Sequence, residues 1–159
     1  MLIFGVDPGV RNSGLALVRA GTSNKVLFAK SIVTDTGDWR EALHSIFNEA
    51  PCPVEDEELL PVVESVVWYG RRRGMYELNR LVGALYASFE LLYGECLLAN
   101  PQDKIKLTKS LRGKAKNEHE EDAIALALYG IEWLKNLELG KTKQGKIIPI
   151  VLTKQIKST

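Results

Sequence analysis

The chain has 159 residues, 45% of them hydrophobic, which predicts one domain with a core of ordinary size. A formal net charge of +1 excludes a general electrostatic attraction to nucleic acid, and two cysteines exclude a disulfide framework or a cysteine-based metal site. The sequence has no signal-peptide pattern and no apolar run of membrane-spanning length, so we expect a cytoplasmic protein without a membrane segment.

The beginning of the chain predicts a β-hairpin with an acid at its root. The apolar run Leu2–Val6 has the length of a buried strand and ends at Asp7. Pro8 and Gly9 then enforce a turn, and a second strand follows from Ser13. Asp7 could also serve only to open the turn by hydrogen-bonding its own backbone, and both interpretations stay open on this stretch alone.

Apolar alternation and helical spacing predict the remaining elements. They are a third strand at 25–33, a helix at 38–48, a fourth strand at 60–68, a helix at 75–93, a short strand at 96–99 and a final helix capped by Asn117. Short turns between the first three strands imply an antiparallel meander. The 75–93 helix has a second apolar strip with small residues four apart, formed by Tyr76, Gly83, Ala87 and Leu91. This strip indicates either deep burial or contact with a twofold-related copy.

Acidic side chains occur at two further places that call for an explanation. Glu64 stands within an apolar run, where a carboxylate is costly unless it is paired or bound to a cation. It could instead lie near the strand end and reach solvent or an arginine. The final helix begins with several acids, which the helix dipole alone would favour. Asp122 nevertheless leads directly into an apolar stretch, and His119 lies three residues earlier on the same helix face.

Positive charge is concentrated in two segments, 71–73 and 104–116. The second contains six cations and no acid, so it is either a solvated basic loop or a contact for several phosphates. Residues 138–159 form a basic C-terminal extension that could be an edge strand or a tail.

Three stretches, in this order, resemble the RuvC family of Holliday-junction resolvases within the ribonuclease H-like nucleases: residues 5–9 with 13–14, residues 62–64 and residues 119–127. The resemblance extends over residues 1–137, and it implies an α/β domain with a mixed five-stranded sheet and helices on both faces. It also implies a homodimeric endonuclease of a bacterial or phage-infected cell, which resolves four-way DNA junctions by paired symmetric nicks.

The resemblance implies roles for individual residues. Four side chains would hold two Mg²⁺ ions, for which Mn²⁺ could substitute: Asp7, Glu64, His119 and Asp122. Lys106 and Lys116 would approach the scissile phosphate and act in catalysis. Basic and aromatic side chains would contact the DNA, namely Arg71, Arg72, Arg73, Lys104, Lys109, Arg112, Lys114, Trp68 and Tyr69.

The chain also departs from the family pattern. Lys116 precedes His119 by only three residues, without the usual helix between them, and His119 stands where many members have aspartate. Val67 stands where an aromatic usually enters the junction. The alternatives are a nuclease for other branched DNA or for RNA/DNA hybrids, and a non-catalytic junction-binding protein. An ATP-binding protein of the actin and sugar-kinase type is disfavoured, because it would need a second domain and a second phosphate loop and the sequence predicts neither.

Overall fold

The computed structural model describes residues 1–52, 57–66, 75–102 and 115–138, with a mixed sheet at the centre. The strands are β1 (Leu2–Asp7), β2 (Asn12–Arg19), β3 (Lys25–Val33), β4 (Leu59–Glu64) and β5 (Leu97–Ala99). The helices are α1 (Trp39–Glu49), α2 (Met75–Tyr93) and α3 (Glu118–Glu138). The predicted order of elements is confirmed, and Asp38 caps α1 by accepting a hydrogen bond from the backbone N–H of Arg40.

The strand order in the sheet is β3-β2-β1-β4-β5, which places β1 at the centre. β1 and β2 pair antiparallel, as do β2 and β3, so the predicted meander is confirmed. β4 pairs parallel with β1 and with β5. The parallel pairing brings the carboxyl ends of β1 and β4 to the same edge of the sheet.

Helices cover both faces of the sheet, as predicted. On one face, the ring of Phe4 packs edge-on against that of Phe89 from α2, with centroids 6.0 Å apart. On the other face, Ile3 and Val62 pack in one cluster with Leu126 of α3. Because side chains of a strand alternate between faces, every second residue of β1 and β4 points toward α3.

Two glycines allow α3 to lie directly on the sheet. A Cβ atom on Gly5 would lie 2.0 Å from the carbonyl oxygen of Ala123, and one on Gly14 would lie 1.9 Å from that of His119. No side chain fits at such distances. The first turns of α3 therefore lie against the backbone of β2 and β1, close to the end of β1.

β4 ends earlier than the apolar run predicts, at Glu64 instead of residue 68. Its ladder with β5 ends at the pair Glu64 and Ala99, and the backbone N–H of Ser65 donates to the carbonyl of Ala99 at 2.8 Å. Glu64 thus lies at a strand end and is partly exposed. Its placement in the middle of a buried strand was wrong, and the alternative of a strand end is confirmed.

α2 is not buried on all sides. Leu81, Leu85 and Phe89 are fully buried against the sheet, whereas Leu91 is 86% exposed and Tyr76 is 64% exposed. A Cβ atom on Gly83 would meet nothing within 4 Å. Deep burial therefore does not explain the second apolar strip, and its contact with a second copy stays a prediction.

Several predictions lie outside the described residues or are tested only in part. α3 continues to Glu138, and residues 139–159 of the basic extension lie outside the described residues, so the domain boundary stays a prediction.

The two cysteines, Cys52 and Cys96, are both free, so they form no disulfide with each other. No helix in the described part of the chain is both long and apolar enough to cross a membrane.

Candidate active site

The sheet register brings two of the predicted carboxylates to adjacent strand ends. The last pair of the β1 and β4 ladder directly precedes Asp7 and Glu64. Ile3 and Val62 pack against α3. Asp7 stands four residues after Ile3, and Glu64 stands two residues after Val62. Side-chain alternation therefore directs both carboxylates to the face of the sheet that α3 covers.

His119 joins this edge from α3. Its Nδ1 atom lies 3.0 Å from Oδ2 of Asp7, and the Asp7 side chain is only 11% exposed, against 40% for His119. Because a carboxylate only accepts hydrogen bonds, the Nδ1 atom carries the hydrogen, and in the neutral ring Nε2 is then the acceptor. The contact joins a buried acid to an imidazole that solvent can reach.

The turn after β1 is held by hydroxyl groups. The Oγ atom of Ser13 donates to the carbonyl of Gly9 at 2.8 Å and accepts from its N–H at 3.2 Å. The buried Thr34 donates to the carbonyl of Val10 at 2.6 Å. With the turn held in this way and Asp7 in contact with His119, Asp7 does more than open the turn. Sequence reasoning missed Thr34, since no local pattern connects it to this turn.

One of the acids that begin α3 is buried, although the helix dipole alone would favour an acid at this position. Glu120 is 6% exposed, and its Oε2 atom accepts a hydrogen bond from the backbone N–H of Lys116 at 2.9 Å. The Oδ1 atom of Asn117 in turn accepts from the backbone N–H of Glu120 at 3.0 Å. Asn117 followed three residues later by a glutamate is a helix-capping pattern, and this was the signal available in the sequence.

Comparison with known proteins places this geometry in a known fold. No family model matches the chain, and no curated protein does. The solved structure of Thermus thermophilus RuvC with a Holliday-junction substrate superposes with a TM-score of 0.65 at 18% identity, over 90% of this chain and 98% of that one. The fowlpox virus Holliday junction resolvase superposes with a TM-score of 0.54 at 12% identity, over 86% of this chain and 99% of the resolvase chain. The chain has the fold of the RuvC resolvases.

The RuvC fold confirms the predicted ribonuclease H-like α/β architecture. Within it, Asp7 and His119 are in contact, Glu64 lies at the adjacent strand end, and Asp122 lies one helical turn along α3 from His119. Asp7, Glu64 and Asp122 each have interaction partners. In residues 1–52, 57–66, 75–102 and 115–138, however, no three His, Cys, Asp or Glu side chains are gathered closely enough to hold a metal ion. The four predicted metal ligands thus share one region without forming a closed cluster.

An open cleft of about 240 Å³ adjoins this edge of the RuvC fold. Its lining residues are Pro8, Glu64, Ser65, Val66, Met75, Leu78 and Pro101.

Of the basic residues predicted to act on DNA, Lys116 lies within the described residues, and its backbone N–H donates to Glu120. The other residues predicted to act on DNA lie outside the described residues: Lys106, Arg71, Arg72, Arg73, Lys104, Lys109, Arg112, Lys114, Trp68 and Tyr69.

Proposed function

We propose that this chain is a metal-dependent, structure-selective endonuclease that acts on four-way DNA junctions. The observation that carries the proposal is the contact between Asp7 and His119 at the end of the central strand, with Glu64 at the adjacent strand end. Two of the superposed structures, those of Thermus thermophilus RuvC and of the fowlpox virus resolvase, contain Holliday-junction DNA. The shared fold supports a substrate of the same kind for this chain.

The donor types fit Mg²⁺ or Mn²⁺. Asp7, Glu64 and Asp122 offer carboxylate oxygens, which hard divalent cations prefer, and His119 offers a neutral ring nitrogen. Since these groups do not form a closed cluster, the proposal requires that the Glu64 and Asp122 side chains turn toward Asp7 when a cation binds. A bound pair of cations would activate the attacking water and stabilise the leaving oxygen.

The protein's own groups prepare this chemistry. The buried Asp7 carboxylate holds the His119 ring in one tautomer, so that Nε2 points its lone pair away from Asp7. Nε2, on the side of the ring away from Asp7, would then accept a proton from water or bind the second of the two cations. The close backbone contacts of α3 at Gly5 and Gly14 place the start of the helix, and with it the His119 ring, next to the carboxylate.

The remaining residues predicted from the sequence complete the proposal. Lys106 and Lys116 would approach the scissile phosphate, and the basic segments at 71–73 and 104–114 with Trp68 and Tyr69 would contact the DNA. We propose that the exposed strip of α2 joins two copies in a homodimer. A dimer with two equivalent sites matches a substrate with twofold symmetry, so that both strands could be nicked symmetrically.

The substitution Asp7→Asn tests this proposal on a fluorescently labelled synthetic junction in Mg²⁺. Loss of the anionic oxygens should lower the nicking rate by more than about 100-fold. The dissociation constant for the junction, measured by gel shift, should stay within about twofold. Glu118→Gln is the matched control, because it removes an exposed carboxylate from the same region. Nicking by Asp7→Asn at the wild-type rate would defeat the proposal.

A junction-binding protein without turnover is the second candidate. The absence of a closed three-residue metal cluster in the described ranges favours it. Such a protein would bind the junction tightly yet leave it intact at every concentration of Mg²⁺ or Mn²⁺.

A further inference from the structure

We propose that Asn117 and Glu120 are positioning residues that set His119 against Asp7, with Ser31 as their anchor on the sheet. Asn117 donates a hydrogen bond from Nδ2 to Oγ of Ser31 at 2.9 Å. For its effect on catalysis this inference rests on the proposed function. Its effect on the His119 ring can be measured without any substrate.

The argument begins with one row of residues across the sheet. Asp7 pairs with Gly14 in the β1 and β2 ladder, and Gly14 pairs with Ser31 in the β2 and β3 ladder. Directly paired residues of neighbouring strands point to the same face of the sheet. Asp7, Gly14 and Ser31 therefore form a straight row beneath the first turn of α3.

The beginning of α3 contacts this row at three points. The His119 ring bonds to Asp7, the His119 carbonyl lies against Gly14, and the Asn117 side chain bonds to Ser31. Contacts at Gly5 and Gly14 hold α3 against β1 and β2, but a rotation of the first turn about its contact with Gly14 would still move the His119 ring. The two outer contacts lie on either side of Gly14, so the bond to Ser31 limits the rotation that would lift His119 from Asp7.

Glu120 fixes the backbone that carries these contacts. Exposed Glu118 can complement the helix dipole at no desolvation cost, whereas Glu120 is buried and needs a compensating interaction. Its carboxylate accepts from the N–H of Lys116, and its own N–H donates to Asn117. The two hydrogen bonds hold residues 116–120 as one rigid unit, so the carboxylate determines where the helix begins.

The test uses nuclear magnetic resonance of ¹⁵N-labelled histidine at one fixed pH. The chain has two histidines, and His44 on α1 bonds to Asn48, which makes it an internal reference. Ser31→Ala removes the anchor, and Ser31→Thr keeps the hydroxyl. We expect the His119 ring signals to change in Ser31→Ala and to return in Ser31→Thr, with the His44 signals unchanged throughout.

Glu120 is tested in the same way. Glu120→Ala should change the His119 signals, while Glu120→Gln, which keeps an oxygen acceptor for the N–H of Lys116, should preserve them. Glu118→Ala is the matched control from the same turn. The thermal unfolding midpoint shows that each variant is folded. His119 signals that stay unchanged in both Ser31→Ala and Glu120→Ala would overturn the inference.

Kinetics with a four-way junction give the second measurement. Ser31→Ala should lower kcat about tenfold and leave KM unchanged, because it misplaces a side chain without removing a DNA contact. In a His119→Ala background the same substitution should have no further effect. A wild-type protein that nicks no junction would refute the proposed function, and the histidine signals would still decide the inference.

Discussion

The Nδ1 atom of His119 lies 3.0 Å from Oδ2 of Asp7, although 112 positions separate the two residues in the chain. The contact depends on the glycines beneath α3, because a larger residue at Gly5 would push the helix from the sheet. The close approach of α3 to the backbone at these glycines therefore determines both the packing of the helix and the position of His119 beside Asp7. A disturbance of that packing should affect both stability and activity.

The first prediction concerns two glycines in opposite surroundings. Gly5→Ala would place a methyl group 2.0 Å from the carbonyl of Ala123, so the free energy of unfolding should fall by about 3 kcal/mol or more. Within one chain a methyl group at Gly83 on α2 meets nothing within 4 Å, so Gly83→Ala, made in a monomeric Leu91→Lys background, should raise that free energy by about 0.5 to 1 kcal/mol. Urea unfolding curves measure both. Equal stabilities of the two variants would contradict the packing described for α3.

The second prediction concerns Glu64 and divalent cations. Glu64→Gln should weaken the binding of Mn²⁺ to the protein without DNA by about 10-fold to 100-fold, measured by electron paramagnetic resonance. Glu58→Gln is the matched control, because Glu58 is exposed and directly precedes the other end of β4. If Glu64→Gln binds Mn²⁺ as tightly as the wild type, Glu64 is not a ligand.

The third prediction concerns assembly through α2. Leu91 is 86% exposed on the apolar strip, so a charge there would oppose the burial that a dimer requires. Leu91→Lys should convert the protein from dimer to monomer in sedimentation equilibrium. Leu137→Lys, at a residue of α3 that is 49% exposed, is the control and should leave the dimer intact. A wild-type monomer, or a dimeric Leu91→Lys variant, would refute assembly through this strip.

The fourth prediction concerns stability at alkaline pH. Burial raises the pKa of the Cys96 thiol above its ordinary value of 9.0. Above about pH 9 the unfolded chain therefore loses this proton while the folded chain keeps it, and stability falls as the pH rises. The effect is absent below the ordinary pKa. Cys96→Ala should flatten the fall of the urea midpoint between about pH 8.5 and about pH 10. Equal slopes in variant and wild type would exclude Cys96 as the cause.

Much of the fold could be predicted from the sequence because its strands have clear local patterns. The short apolar run at Leu2–Val6 and the turn residues after Asp7 predict the hairpin, and the meander follows from short connections. The end of β4 could not be predicted. β-branched residues continue after Glu64, but the strand ends where its partner β5 ends at Ala99, and strand pairing is not visible in local sequence.

The candidate site could be predicted only in part, for a similar reason. Asp7, Glu64 and His119 stand in recognisable motifs, and the fold brings them to one edge. The bond between Asn117 and Ser31 joins residues 86 positions apart, and no spacing rule indicates it. The acids at the start of α3 all suit the helix dipole, and the capping pattern with Asn117 indicates a role for Glu120. Only the structure shows that Glu120 is buried and that its neighbour Glu118 is exposed.

The most direct test is strand-resolved nicking of a labelled four-way junction by the wild-type protein, beside a linear duplex and an RNA/DNA hybrid. With Mg²⁺ we expect symmetric nicks in two strands of the junction, little cleavage of the other substrates, and complete loss of cleavage after chelation. Junction cleavage that continues in excess chelator would contradict the metal site. An intact junction at every concentration of Mg²⁺ and Mn²⁺ would contradict the nuclease itself.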